Sequence, residues 1–187
     1  MKLMPIDNSM LALVAEWMTK KENYQWLDFG SGVQILTAAS LKIMAQRDIH
    51  LLRVFTAGAD DAPIGLAGLS NIDRHFKTAT LWYVLGNKSH GGKGCATAAV
   101  SKLLTLGFTE LGLCAVNAWA VEKNAPSIRV LQRNNFQLAG RLRQCHYIDG
   151  VPYDHLLFDL LAAEHKEMAP ASPAVFIQEC WQSFHKS

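Results

Sequence analysis

A glycine-rich loop constrains this chain more than any other feature of its sequence. It reads Gly-Gly-Lys-Gly-Cys-Ala-Thr over residues 91–97 and lies between a predicted strand and a predicted helix. Glycine lets the backbone approach a ligand closely, and the start of a helix presents unpaired N–H groups and the positive end of its dipole. The pattern predicts an anion site, most naturally for phosphate. A loop that is merely mobile can have the same glycine-rich composition. The loop lacks the G-x-x-x-x-G-K-[ST] spacing of a Walker A motif.

Charge is distributed unevenly along the 187 residues. Residues 74–148 contain ten Lys and Arg against two acids, a local charge of +8. The whole chain carries only +2, so the remaining residues carry −6. A basic middle in a near-neutral protein favours a small anionic ligand over a nucleic acid partner, and solvated surface charge is the alternative.

Composition narrows the class of protein further. Half of the residues are apolar, enough for one domain with a buried core. No stretch has the length and apolarity of a membrane span, and residues 1–5 lack the apolar region of a signal peptide, so we expect a cytoplasmic location and no membrane partner. The four cysteines at positions 95, 114, 145 and 180 lie far apart, which predicts neither a disulfide framework nor a metal site.

Residue patterning predicts alternating helices and strands. Apolar residues at helical spacing indicate helices, and short runs rich in β-formers indicate strands. The aromatic loop over 23–33 is either a binding element or a plug on the core. The predicted order is two helices, three strands, a helix, a strand, a helix, two strands and a tail helix, over residues 8–22, 37–46, 51–56, 64–71, 78–85, 95–110, 114–121, 125–134, 136–147, 153–161 and 175–187.

Three short motifs then resemble the GNAT superfamily of acetyl-CoA-dependent N-acyltransferases. Gly94 and Ala96 match the family's [RQ]-x-x-G-x-[GA] loop. Asn124 and Ser127 resemble the family's V-x-x-x-N-x-x-[SA] motif, one residue tighter after the Val, and residues 134–136 resemble its N-x-F turn. The predicted elements and the three motifs follow one another in the order found in the family, which makes the resemblance specific.

Three positions depart from the family pattern. Gly91 stands where Arg or Gln is usual, which removes one phosphate or capping contact. Asn135 stands where Gly is usual and also tolerates the left-handed region. Leu131 stands where many members carry the Tyr that protonates the leaving thiolate, so a Tyr acid is excluded at this position.

The resemblance implies an α+β GNAT fold. Its sheet would be mixed, mostly antiparallel and of the seven-stranded type, flanked by about four helices, with strands four and five splayed to hold CoA. The GNAT domain would cover residues 1–161, followed by a tail over 162–187. Acetyl-CoA is the expected acyl donor and no metal is expected. The residues assigned to CoA are Val84, Leu85, Gly86, Gly91, Gly92, Lys93, Gly94, Cys95, Ala96, Thr97, Asn124, Ser127 and Arg133, with Arg129 as a further candidate for the 3′-phosphate.

Catalytic groups are predicted by position and chemistry. The resemblance places Ser127 beside the CoA sulfur as a proton donor to the thiolate, or as a residue that only caps or packs. An acceptor ammonium must lose a proton, because an alkyl amine has a pKa near 10.4. Asp73 and His75 are the candidate bases, with His146 as a third. The acceptor is expected to meet Trp26, Asp28, Phe29, Asp73 and His146.

The resemblance implies an N-acetyltransferase, and its acceptor is open. We expect the amine of a small molecule, such as an amino sugar or a polyamine-like amine. An N-terminal acetyltransferase of a ribosomal protein and a non-catalytic acyl-CoA sensor are the alternatives. Residues 176, 177, 180, 181 and 184 form an apolar stripe that predicts docking of the tail on its own domain or on a second copy, which would form a homodimer.

Overall fold

The computed structural model describes residues 1–58 and 62–167, which form seven strands and five helices. The predicted tail helix over 175–187 lies outside the described residues. Two single-turn 3₁₀ helices cover Lys88–His90 and Ala162–Glu164. In chain order the elements are β1 (Leu3–Pro5), α1 (Leu11–Thr19), α2 (Lys21–Tyr24), α3 (Ala38–Gln46), β2 (Leu51–Thr56), β3 (Pro63–Asp73), β4 (Thr78–Leu85), α4 (Cys95–Thr109), β5 (Ala115–Val121), α5 (Ala125–Arg133), β6 (Gln137–Ile148) and β7 (Val151–Leu161).

The predicted element order is confirmed, with two differences near the N-terminus. The short strand β1, which the sequence pattern did not predict, pairs with β2. The helix predicted over 8–22 is interrupted at Lys20, whose extended ψ of 124° separates α1 from α2. The buried side chain of Asn23 donates to the Trp17 carbonyl and satisfies one acceptor at the end of α1. Asn135 takes the expected left-handed conformation, with φ of 64°.

All seven strands join one mixed sheet in the order β1-β2-β3-β4-β5-β7-β6. Every neighbouring pair is antiparallel except β4 and β5, which run parallel. Parallel neighbours need a crossover connection, and here α4 provides it. The predicted seven-stranded mixed sheet is therefore confirmed, with five flanking helices rather than about four.

Two apolar layers hold helices against the sheet. On one face, Leu103 of α4 packs with Leu81 and Val116 from the central strands. On the opposite face, Leu41 of α3 packs with Leu66 of β3. Both faces of the central strands are thus buried, which explains their continuous apolar runs. None of the described helices is long and apolar enough to cross a bilayer.

The pairing between β4 and β5 covers only part of the two strands. Thr78–Thr80 pair with Ala115–Asn117, and no further pairs follow. Both strands continue beyond this point, β4 to Leu85 and β5 to Val121. The facing edges of these continuations therefore carry backbone groups without a ladder partner on the other strand.

Gly86, directly after β4, packs against the Trp17 ring of α1 with no room for a side chain. A Cβ built at Gly86 would lie 2.0 Å from the ring of Trp17, which is buried. We expect Gly86→Ala to lower the free energy of unfolding by about 2 kcal/mol, as overpacking does in cores. Denaturant unfolding measures the change. In the control Gly140→Ala the nearest contact would be 4.0 Å, and equal losses in both variants would contradict the explanation.

Candidate active site

A cavity of about 930 Å³ opens where β4 and β5 part. One arm is walled by the glycine-rich loop and by the first turns of α4 and α5. The other arm is walled by α2, α3 and the loop that joins them. Residues of β4 and β5 beyond their last ladder pair line the same cavity, so groups bound in the two arms would share one space.

The glycine-rich loop presents backbone donors to the first arm. Gly92 and Gly94 have φ of 73° and 76°, a region that glycine adopts without strain. No side chain caps α4, and the N–H groups of its first turn have no acceptor within the helix. Cys95 and Ala96 of that turn line the cavity. This backbone arrangement, together with the helix dipole, suits a phosphate group.

The start of α5 adds a second set of polar groups to the same arm. Asn124 caps the helix, its side-chain oxygen accepting from the N–H of Ser127 at 3.3 Å. Arg129 and Arg133 follow on α5 and line the cavity. Two guanidinium groups beside the glycine-rich loop favour a ligand with more than one anionic group.

Tyr83 connects β4 with α5 across the gap. Its hydroxyl lies 2.7 Å from the hydroxyl of Ser127 and 3.0 Å from the carbonyl oxygen of the same residue. Burial raises the pKa of Tyr83 well above its ordinary value, so the phenol stays protonated and can donate. The contact fixes the Ser127 hydroxyl at the edge of the gap.

Aromatic rings dominate the second arm. Strand alternation directs Trp82 to the face opposite Tyr83. The Trp82 indole donates to the Ser70 hydroxyl at 2.8 Å, and Phe29 meets its ring edge-on with centroids 5.0 Å apart. The aromatic residues that line this arm are Trp26, Phe29, Trp82 and Trp119.

Two carboxylates accompany these rings. Glu22 and Asp28 are the acids among the described residues that line the cavity. One Asp28 oxygen accepts from the N–H of Gly30 at 2.8 Å, and the other oxygen has no hydrogen bond to the described residues. The Lys88 ammonium donates to the side-chain oxygen of Asn23. Burial of Lys88 lowers the pKa of its ammonium, while the charge of Glu22 opposes that shift. Lys88 offsets part of the Glu22 charge, and the Asp28 carboxylate together with the aromatic faces suits a cation.

A family model described as an acetyltransferase (GNAT) domain matches residues 2–137. The chain belongs to the GNAT acetyltransferase family. The uncharacterized N-acetyltransferase p20 of Bacillus licheniformis is 35% identical over 133 residues, which cover 71% of this chain and 71% of p20. The predicted fold and the predicted N-acetyltransferase class are thereby confirmed.

Two solved structures of GNAT enzymes share the fold. Spermidine N-acetyltransferase from Vibrio cholerae, in complex with CoA and spermine, superposes with a TM-score of 0.76 at 17% identity, covering 87% of this chain and 96% of its own. A ribosomal-protein-S5-alanine acetyltransferase from Vibrio fischeri gives a TM-score of 0.71 at 22% identity, covering 88% and 94%. These relatives act on a small amine and on a protein, so the acceptor class of this GNAT chain stays open.

Most of the residues predicted to bind CoA lie on the cavity wall. Gly86 and Lys93 do not: Gly86 packs against Trp17, and Lys93 is exposed elsewhere on the loop. The predicted residues that line the cavity are Val84, Leu85, Gly91, Gly92, Gly94, Cys95, Ala96, Thr97, Asn124, Ser127, Arg129 and Arg133.

The predicted acceptor and base residues fall into two groups. Trp26, Asp28 and Phe29 line the second arm, whereas Asp73 and His75 do not line the cavity. One Asp73 oxygen accepts from the N–H groups of His75 and Phe76, each at 2.8 Å, and closes the turn between β3 and β4. That turn lies at the far end of β4 from the glycine-rich loop, so the cavity gives no support to the catalytic role predicted for either residue.

His146, the third predicted base, is buried behind the cavity wall and contacts Gln25 and His155. Glu22 and Trp119 line the cavity and His155 stacks on Trp119, and none of the three was predicted from the sequence. Strand alternation on β5 would have directed Trp119 to the face of Trp82, opposite Tyr83. No local signal indicates His155, because its contacts depend on the register between β6 and β7.

Burial of His155 predicts a dependence of stability on pH. Burial, with a smaller contribution from His146, lowers the pKa of His155 from 6.5 to about 4 in the folded chain, while Asp28 opposes the shift. The unfolded chain therefore binds more protons between these values, and stability falls as the pH falls through that window. Between these pH values we expect the free energy of unfolding of the wild type to fall by up to about 1.4 kcal/mol per pH unit more than that of His155→Gln, as measured by urea unfolding. Equal slopes in the two proteins would contradict the shift.

Proposed function

We propose that this GNAT enzyme transfers an acetyl group from acetyl-CoA directly to the primary amine of a small molecule, such as an amino sugar or a polyamine-like amine. One observation carries the proposal. A single cavity joins a backbone cradle suited to phosphate with an arm lined by aromatic rings and two carboxylates. The cytoplasmic location and the homodimer stay predictions.

The residues of the first arm fit acetyl-CoA. No heavy atom lies within 4 Å of a Cβ built at Gly92 or Gly94, which leaves room for a pyrophosphate against the backbone. Arg129 and Arg133 would hold the 3′-phosphate, and Asn124 would bond the pantetheine arm. When bound, acetyl-CoA supplies an acetyl thioester whose carbonyl carbon accepts the amine.

Backbone beyond the last β4–β5 pair would polarise the thioester carbonyl. Residues around Val84 and Leu85 line the cavity and have no ladder partner on β5. An N–H group placed here donates to the oxygen as negative charge develops on it. One such donor contributes about 3 kcal/mol to a transition state.

The second arm would receive the amine as a cation and then deprotonate it. Indole faces attract an ammonium, and Glu22 and Asp28 add negative charge. The nitrogen attacks only after it loses a proton, and an alkyl ammonium has a pKa near 10.4. We assign proton acceptance to Asp28 or Glu22, directly or through a water molecule.

Ser127 would return a proton to the departing sulfur. Tyr83 has one proton for two acceptors, the carbonyl oxygen of Ser127 at 3.0 Å and its hydroxyl at 2.7 Å. When Tyr83 donates to the hydroxyl, the serine proton is free for the departing sulfur. The ammonium loses one proton to Asp28 or Glu22 before the attack, and this proton leaves to solvent. The nitrogen loses a second proton as the amide forms, which replaces the proton that Ser127 gives to the sulfur, so the transfer is balanced. Leu131, at the position where many family members carry a Tyr, is buried and offers no proton.

An N-terminal amine of a protein is the second candidate acceptor. Val33 and Ile43 line the cavity at its mouth while 49% and 57% exposed, and such an apolar rim suits the side chains of a peptide. A non-catalytic acyl-CoA sensor is the third candidate, since the loop lacks the usual Arg or Gln at Gly91.

Thiol release from acetyl-CoA, with matched acceptors, separates these candidates. We expect faster turnover with amino sugars, diamines and polyamines than with peptides that begin with Ala or Ser, because the carboxylates and rings lie inside the arm. Faster turnover with peptides would favour the protein acceptor. Tight CoA binding without turnover of any acceptor would favour the sensor.

Substitution at Ser127 tests the proton donor. We expect Ser127→Ala to lower kcat by about a hundredfold, the lower end for general acid catalysis, with the KM for acetyl-CoA within about twofold. Tyr83→Phe should lower kcat less, because Ser127 keeps its proton. Ser89→Ala, outside the cavity, is the control. A kcat for Ser127→Ala that equals the control would contradict the assignment.

A further inference from the structure

Two buried histidines face each other behind the acceptor arm. His146 on β6 is 4% exposed and His155 on β7 is 8% exposed. Nε2 of His155 lies 3.1 Å from Nδ1 of His146. The other ring nitrogen of His146 lies 2.7 Å from the carbonyl oxygen of Gln25. Neither histidine lines the cavity, so neither contacts a bound acceptor directly.

The hydrogen-bond partners assign the protons of the pair. A carbonyl oxygen only accepts, so Nε2 of His146 carries the proton and donates to Gln25. In the neutral ring Nδ1 is then an acceptor, and Nε2–H of His155 donates to it. Burial also lowers the pKa of His155, which favours the neutral ring. The chain of donors runs from His155 through His146 to the Gln25 backbone.

A bulge in β6 produces this arrangement. Three residues, 143–145, lie opposite Asp154 alone on β7. Gln144 has a positive φ of 50°, and its N–H donates to the Asp154 carboxylate at 2.9 Å. The two extra residues leave His146 on the same face of the sheet as His155, and they bring it opposite Tyr153 rather than Val151, two residues closer to His155.

His146 and His155 connect two walls of the acceptor arm on the side that faces away from the cavity. The ring of His155 stacks on Trp119, with centroids 4.0 Å apart and planes at 19°. Trp119 lines the arm on the β5 side. Gln25 directly precedes Trp26 on the opposite wall, where Trp26–Phe29 supply two rings and the Asp28 carboxylate.

We propose that His146 and His155 are positioning residues that fix the separation between Trp119 and the Trp26–Phe29 segment, and thereby set the affinity for the acceptor amine. The inference rests on the proposed function, because it takes this arm as the acceptor site. The donor arm shares none of these contacts, so acetyl-CoA binding is independent of the pair.

Paired substitutions at His146 test the inference. His146→Leu removes both hydrogen bonds and leaves the Gln25 carbonyl without its partner, whereas His146→Gln keeps one donor and one acceptor. We expect His146→Leu to raise the KM for the acceptor at least about fivefold, the effect of one lost hydrogen bond. The kcat and the KM for acetyl-CoA should stay within about twofold, and His146→Gln should restore most of the acceptor KM.

Lys21→Gln is the matched control. It removes the exposed ion pair between Lys21 and Asp149, a second link between α2 and the β6–β7 turn, and such pairs contribute little. The control should leave the acceptor KM unchanged. An acceptor KM that is the same in wild type and His146→Leu would overturn the proposal. A lower kcat at constant acceptor KM would also overturn it, and would indicate a proton path through the imidazoles.

Amide hydrogen exchange tests the same inference without turnover. We expect faster exchange over Trp26–Phe29 in His146→Leu than in wild type, His146→Gln or Lys21→Gln, with unchanged exchange over Gly92–Thr97. Unchanged exchange over Trp26–Phe29 would overturn the positioning role. Failure of every amine to react, combined with faster exchange in this segment, would instead reject the proposed function and keep the positioning contact.

Discussion

The early end of the pairing between β4 and β5 is the constraint on which the rest of the site depends. The parallel ladder stops at Thr80 and Asn117, yet both strands continue for several residues. Each strand is followed by a helix, so the N-termini of α4 and α5 lie at the carboxyl ends of the two diverging strands. Backbone donors and helix dipoles therefore meet at one gap, where an anionic ligand is favoured.

Strand alternation gives the two sides of this gap different chemistry. On β4, Tyr83 is directed towards α5 and holds the Ser127 hydroxyl, whereas the neighbouring Trp82 is directed towards Phe29. On β5, Trp119 lies on the Trp82 side and rests on His155. The adjacent residues Tyr83 and Trp82 thus give the gap a pair of hydroxyl groups on one side and aromatic rings on the other.

Much of this architecture was predictable from local sequence. The strands over 51–56 and 78–85 follow from runs of β-forming residues, and the glycine-rich loop indicates an anion site once the neighbouring GNAT-like motifs are considered with it. Asp73 was predicted as a base because it lies on the segment that joins β3 and β4, but its carboxylate oxygen caps the turn there, outside the cavity lining. His155 could not be predicted, since its partners depend on a bulge in β6 and on the register with β7.

Amide exchange on β4, with and without acetyl-CoA, tests the central claim most directly. If the interrupted ladder is the donor site, acetyl-CoA should slow exchange of the gap-facing amides within Leu81–Leu85 and of the amides over Gly92–Thr97. The amides of Thr78–Thr80, already beside their β5 partners, should change little. Protection confined to other parts of the chain, with Leu81–Leu85 unchanged, would contradict the account.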